Sequence, residues 1–463
     1  MLHFKLSRLR EDIPSLLKLA GPLLVGQLAV ITFGVLDTAM TARYSADDLA
    51  ALAMASAIFI SIYVGLTGVI SALAPIAGQL FGAKRHDEIG EEVRQATWLA
   101  VGLTFLGCLV LINADYLLQI SHVSPQIEGK ARLYLDILAL GLPASMGMRV
   151  LMALHNAVSR PAVITVVQLT GLALKLPLNL LFIYGGLGIA GMGGPGCAVA
   201  TVIVNWFWLI ITLSFVLLDR FYKPFKIFSH FSAPDWHRIW TLLKLGAPIG
   251  LSYLIEVTSF TFMSLFIARL GTTALAGHQI VANMGTVMYM VPLSLSIATM
   301  TLVSQAIGAN KQERAEEIGW SSVFFTTVLC VVIGIAVWIF KMDLLNFYDP
   351  PDEVKAFSIP LFLFIAFYQI FDALQVTAAF ILRAYRIAFW PMLIYAGSLW
   401  GVGLGGGYLM GFNVFGNTPE FLQGANGFWA ANSMSLGLAA CLLLYLFRKT
   451  AARFEKTHPP VET

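Results

Sequence analysis

The segment LKLAGP at residues 17–22 returns as LKLGAP at residues 243–248, and the 226-residue step from Pro22 to Pro248 decides how the chain is built. At the same ungapped step Ala42-Arg43 matches Ala268-Arg269, Tyr63 matches Tyr289, Gln79 matches Gln305, and Gly82-Ala83 matches Gly308-Ala309. Apolar bias alone would not keep Arg, Gln and Gly in register, so the two halves are copies of one unit. The longest hydrophilic stretch, residues 219–238, falls between the copies.

Outward from the repeat, the composition names the solvent. The 463 residues are 58% hydrophobic and 12% charged with a mean hydropathy of +0.78, against roughly 25% charged residues in soluble domains. This is an integral membrane protein. A spanning helix needs about 20 largely apolar residues, and twelve runs qualify: 13–41, 48–75, 93–114, 131–155, 162–184, 195–218, 239–268, 276–305, 316–340, 356–381, 390–414 and 424–447. The fold expected is all-α, with twelve transmembrane helices in two pseudo-symmetric six-helix lobes: an N-terminal lobe over 1–218, a cytoplasmic linker at 219–238, a C-terminal lobe over 239–447 and a tail from 448 to 463. Six is even, so the repeats enter the membrane in the same orientation, an arrangement typical of secondary transporters.

Orientation follows from the basic residues. With the N terminus inside, eighteen Lys and Arg, among them Lys5, Lys84, Arg160, Lys226, Arg383 and Arg448, fall on one side; Arg43, Lys130, Arg269, Lys341 and Lys355 fall on the other. The positive-inside bias places both termini in the cytoplasm. The first apolar segment runs to about Met40, too long for a signal-peptide core of about 7–15 residues, and reads as a retained helix.

Several function classes drop out. The net charge of +3 comes from residues scattered at loop ends, which gives no footprint for nucleic acid. Cys108, Cys197, Cys330 and Cys441 have no metal-ligand spacing and read as helix-packing thiols. No GxxxxGK[ST] and no HExxH occurs, so neither ATP hydrolysis nor zinc proteolysis is expected, and the chain reads as no enzyme. Gly401, Gly403 and Gly406 spell GxGxxG, but no strand precedes them; they read as helix-packing glycines. Asp349 and Asp352 in YDPPDEV resemble half of a metal-diphosphate site, yet Pro350 and Pro351 place them in an external loop.

The chemistry then rests on few residues. An ionised Asp in a bilayer costs about 2.5–3.5 kcal/mol on insertion scales, so intramembrane acids are functional candidates. They are Asp37 in GVLDTAM, Glu256 in LSYLIEVTSF and Asp372 in YQIFDALQV. Glu256 and Asp372 sit at comparable depth, and two carboxylates in low dielectric must share a proton or bind a cation. Tyr289, Gln279 and Phe260 could join them, with Phe260 one turn after Glu256 on the same face. Aromatics beside acids suit an organic cation. Lys175, in LALKLPLN, is expected to pair with Asp37, which leaves the coupling work to the other two acids.

These residues resemble the multidrug and toxic compound extrusion (MATE) family, in its NorM-like bacterial branch. The segments that carry the likeness are GVLDTAM, KLPLNLLFIYGGLG, GGPGCAVAT, KLGAPIGLSYLIE, YMVPLS and YQIFDALQVTAAFILRAY, and it covers essentially all twelve helices. The resemblance implies efflux of organic cations and hydrophobic drugs across the bacterial inner membrane by alternating access, in exchange for Na⁺ or H⁺, by a monomer without another cofactor. It assigns cation coupling to Glu256, Asp372, Asp37, Tyr289, Tyr368 and Asn179, with Glu256 and Asp372 as the Na⁺ ligands if sodium drives the exchange. It assigns drug contact to Asp37, Phe260, Gln279, Tyr289 and Asp352. Lys175 stands where it leads one to expect Asn. Two other readings stay open on the residues: an ion-coupled flippase for a lipid-linked saccharide, and an intramembrane prenyl- or phospho-transferase.

Overall fold

The computed structural model describes residues 8–119 and 124–457; Lys5 and positions 458–463 of the expected tail lie outside them. The first six long helices are α1 Leu9–Tyr44, α2 Ala46–Gly82, α3 His86–Ile112, α4 Pro125–Ala157, α5 Pro161–Tyr184 and α6 Gly194–Leu218. The second six are α7 Trp236–Ala268, α8 Thr272–Gly308, α9 Gln312–Ile339, α10 Asp352–Ala384, α11 at 389–411 and α12 Ala425–Thr457. Among the described residues, eleven are long and apolar enough to cross a membrane, α2 with a turn at Ser71 and Ala72 and α5 with a π-helical end at Leu180–Tyr184. The twelfth, α11, is α-helical at Phe389–Tyr395 and Gly406–Gly411 with a π-helical stretch, Ala396–Gly405, between.

The repeat is written in the backbone. Helices α2 and α8 start at Ala46 and Thr272, and α3 and α9 at His86 and Gln312, each pair 226 residues apart. Lys84 and Asn310, each two residues before the α3 and α9 starts, are both left-handed, with φ 59° and 58°. Each closes the helix behind it in the same way: Arg85 N donates to Leu80 O and Lys84 N to Phe81 O, and Lys311 N donates to Ala306 O and Asn310 N to Ile307 O. This paired bonding satisfies carbonyls that a helix end would otherwise leave orphaned.

The chain divides into two compact units, Pro22–Gly250 and the remainder, made of the residues up to Gly21 with those from Leu251 onward. The first boundary cuts inside LKLAGP, and the second follows LKLGAP by two residues. Within the Pro22–Gly250 unit, Thr165 Oγ1 donates to Pro22 O at 2.6 Å. In the same unit Gly246 and Gly250 lie against the backbone carbonyls of Val69 and Gly65, an approach that any side chain would block. In the other unit, Asp12 forms an ion pair with Arg314, and Arg8 lies 3.7 Å from Glu317. The core of that unit gathers Met263, Val281, Phe362, Ile365, Phe428 and Trp429. Outward faces are apolar too: Phe105, Val101 and Leu106 on α3 are exposed, as hydrocarbon contact requires.

Three expectations change. Arg383, counted above as a loop charge, lies in the last turn of α10 and is 6% exposed, because its guanidinium folds back over Tyr253 and Phe380. Asp352 is the first residue of α10, where an acid meets the positive helix end, while Asp349 closes the short helix Lys341–Tyr348 in the left-handed conformation. The stretch at 219–238 is fastened along its length to α3. Arg94 donates to Lys226 O at 2.7 Å, Ile227 O at 2.9 Å and Ser232 Oγ at 2.8 Å, and buried Gln95 bonds Ala233 O and Asp235 N. Gly90 leaves room for the backbone at Phe225.

Candidate functional site

Two polar clusters lie within the helices, one in each compact unit. In the unit from Leu251 onward, Asp372 on α10 is 2% exposed and accepts from Gln375 Nε2 at 2.9 Å. The two are three residues apart on one helical face, and Tyr395, just before the π-helical stretch of α11, donates its hydroxyl to Gln375 Oε1. Glu256 on α7 is half-buried, with the Tyr289 hydroxyl of α8 in hydrogen-bonding reach. Asp372 lies within electrostatic range of Glu256. Arg383 lies within the same range of Glu256 and donates through Nη1 to Tyr253 Oη at 2.6 Å.

An aromatic wall continues from this cluster. Phe260, one turn beyond Glu256, meets Tyr368 and Trp429 edge-on with ring centroids 6.2 and 6.1 Å apart, and Tyr368 meets Trp429 at 5.6 Å. His278, fully buried, bonds Ser264 Oγ at 2.8 Å and stacks near Phe260. Glu256, Asp372, Tyr289, Tyr368 and Phe260 are thus brought together as the sequence suggests. Gln279 is exposed on α8, ten residues or about 15 Å of helix before Tyr289. Asp352 is exposed at the start of α10, twenty residues or about 30 Å of helix from Asp372.

The second cluster lies in the Pro22–Gly250 unit. Lys175 Nζ is 3.0 Å from Asp37 Oδ1, the pairing that the sequence suggests. Asn179 Nδ2 donates to the same carboxylate at 2.8 Å. The sequence reading misses Arg383, Tyr253, Gln375, Tyr395 and Trp429. Tyr253 and Gln375 carried a signal, since each stands three residues from an intramembrane acid; Tyr395 comes from another helix and carried none.

A MatE family model matches residues 22–181 and again 248–409, and the two matches start 226 residues apart. A probable multidrug resistance protein NorM from Aromatoleum aromaticum is 38% identical over 434 residues, 94% of this chain and 93% of that protein. A multidrug resistance protein MdtK from Yersinia pseudotuberculosis is 33% identical over 435 residues, 94% of each chain. A crystal structure of a MATE protein in its bent conformation shares the fold with a TM-score of 0.87 at 16% identity, over 98% of this chain and 99% of that one. With the repeat, the twelve helices and relatives above 30% identity spanning nearly its whole length, the chain belongs to the MatE family of multidrug and toxic compound extrusion transporters, and it is a membrane transporter, not an enzyme.

Proposed function

We propose that this protein is a secondary active antiporter of the bacterial inner membrane, with both termini cytoplasmic, which exports organic cations and hydrophobic drugs in exchange for inward Na⁺ or H⁺. The observation that carries the reading is the charge balance around Asp372. Two carboxylates, Glu256 and Asp372, lie in electrostatic range of each other, and one guanidinium, Arg383, lies in range of Glu256, so the cluster is one positive charge short of neutral. A group of that kind in a low-dielectric lobe attracts one proton or one monovalent cation.

Each part of the cluster then has a task. Glu256, half-buried, takes the incoming ion, and the Tyr289 hydroxyl supplies a further oxygen. Gln375, held from behind by Tyr395, keeps Asp372 turned toward it. Filling the deficit changes the energy of the conformation that contains it, and an ion that favours one state shifts the population toward that state. Drug binding favours the other state, so the two ligands oppose each other through one equilibrium, as coupling requires. The drug itself rests on Phe260 and Tyr368, whose ring faces attract an organic cation. Gln279 and Asp352 lie farther out, where they meet the drug before or after the aromatic wall. Asp37 and Asn179 contribute hydrogen bonds to the first lobe and bring no uncompensated charge. A monomer suffices for this cycle.

The experiment is dye efflux from liposomes holding the purified protein, at fixed pH with and without a Na⁺ gradient, for wild type, Glu256→Gln and Asp372→Asn. Each variant is expected to lose gradient-driven efflux about tenfold or more, equivalent to about 1.4 kcal/mol. Full gradient-driven efflux by Glu256→Gln rejects the assignment. The wild-type response to Na⁺ at fixed pH separates sodium from proton coupling.

A further inference from the structure

The cluster around Asp37 has a different charge balance. Lys175 is fully buried in α5, and its ammonium is 3.0 Å from Asp37 Oδ1, donates to Cys197 O at 3.1 Å and donates to the Thr201 hydroxyl. An ammonium has three N–H donors, and here each meets an oxygen. The ring of Phe33 lies 5.6 Å away on a further side. Asn179, also fully buried, gives its Nδ2 to Asp37, and its Oδ1 has no partner among the described residues. A carboxylate, a hydroxyl and a backbone carbonyl around the ammonium are oxygen donors of the kind that hard cations take.

We infer that Lys175 is a resident, covalently tethered cation: its ammonium occupies an oxygen shell suited to a monovalent cation and so closes that shell to ions from solution. The argument has three parts. The shell is built of oxygens from two helices, Asp37 on α1 and Cys197 and Thr201 on α6, while Lys175 comes from α5, so it exists independently of the lysine stem. Its charge is already balanced, since Asp37 and Lys175 cancel, in contrast to the deficit beside Asp372. Burial makes the occupancy permanent: separating a fully buried ammonium from its carboxylate leaves two uncompensated charges in low dielectric, which is strongly unfavourable. The consequence for transport rests on the antiport reading above: the coupling ion engages only the lobe that holds Glu256 and Asp372.

Removing the tether should convert the shell into an exchangeable site. The test uses the full-length protein carrying Glu256→Gln and Asp372→Asn, so that bound ion reports the Asp37 cluster alone, with radioactive Na⁺ and methylammonium as probes in choline buffer. This background is expected to bind no Na⁺ saturably. Adding Lys175→Ala is expected to create one saturable Na⁺ site per chain, displaced by methylammonium. The Tm of that protein is expected to rise with Na⁺ concentration, because a ligand that binds only the folded state stabilises it. Further addition of Asp37→Asn is expected to abolish the site. The inference is overturned if the background with Lys175 intact binds Na⁺ in a manner that Asp37→Asn removes, or if folded Lys175→Ala protein gains no site. Should Lys175→Ala not fold in choline, recovery of folding with Na⁺ or methylammonium supports the inference and failure with both overturns it. Efflux by the Glu256→Gln, Asp372→Asn background tests the coupling reading separately: if efflux persists there, that reading falls, and the binding measurement still decides the role of Lys175.

Discussion

At the scale of single residues, and on the antiport reading proposed above, Arg383 is the group that sets how strongly the Glu256 and Asp372 cluster holds an ion. Its guanidinium is 6% exposed and tied to Tyr253, so it does not leave to solvent when the ion arrives. At 4 Å and an effective dielectric of 20, two unit charges interact by about 4 kcal/mol, and the interaction falls with distance. Arg383→Gln deepens the deficit from one charge to two. Its expected effect is tighter binding of the driving cation, with the half-saturating concentration lowered about tenfold, and slower turnover because release becomes limiting. Arg383→Lys should stay close to wild type on the first measure. Efflux kinetics against driving-ion concentration decide it: an unchanged half-saturating concentration in Arg383→Gln removes Arg383 from the cluster. The acids were legible in the sequence because a carboxylate in an apolar run is conspicuous. Arg383 was not, because a basic residue near a helix end reads as a loop charge until its side chain is seen to turn inward.

At the scale of elements, residues 219–238 act as a strap on α3. Gln95, 0% exposed, fills both its amide groups with this segment and with Glu91, and Trp98 donates to Ser232 O at 2.9 Å. Gln95→Ala removes the bonds to the Ala233 carbonyl and the Asp235 N–H, both on exposed residues that water can reach, at about 0.5–1.5 kcal/mol net for each bond lost. The expected outcome is faster trypsin cleavage at Lys226, about tenfold or more, with the rest of the chain cut no faster. Cleavage at the wild-type rate would show that the strap holds without Gln95. Asp219, where the strap begins, is held below the ordinary carboxylate range by the Phe221 backbone N–H and by Arg160. A depressed folded value stabilises above the unfolded value of about 3.9 and is lost as pH falls through the folded one. Protection at this end should therefore persist at neutral pH and fade only in strong acid. Hydropathy marked this segment as hydrophilic and could not show that it is docked, since the polar groups that bond it lie on another helix. The same limit applies to α11, whose glycines pack on α12: Gly403, in the π-helical stretch, faces Ser435, and Gly407 and Gly411, in the α-helical turn after it, face the Phe428 ring.

At the scale of the whole molecule, the two compact units each take a segment from the other half of the sequence. Residues 236–250 belong with Pro22–Gly250, and residues up to Gly21 belong with the part from Leu251 onward. A chain cut within the strap should then behave in a defined way. Fragments 1–230 and 231–463 expressed separately each lack part of a unit and are expected not to accumulate, while co-expression restores both; membrane fractionation and efflux report the result. Stable accumulation of either fragment alone would show that the borrowed segments are dispensable. The sequence by itself determined the membrane class, the twelve spans, the 226-residue repeat and the acids, because apolar length, register and an out-of-place charge are properties of a chain read in one dimension. Tertiary structure decided which lone charges are answered and which are not. Lys175 meets Asp37 in one unit, while in the other two carboxylates lie near each other with an arginine in range of Glu256 alone, and these balances depend on which helices pack side by side, a distance that no spacing along the chain records.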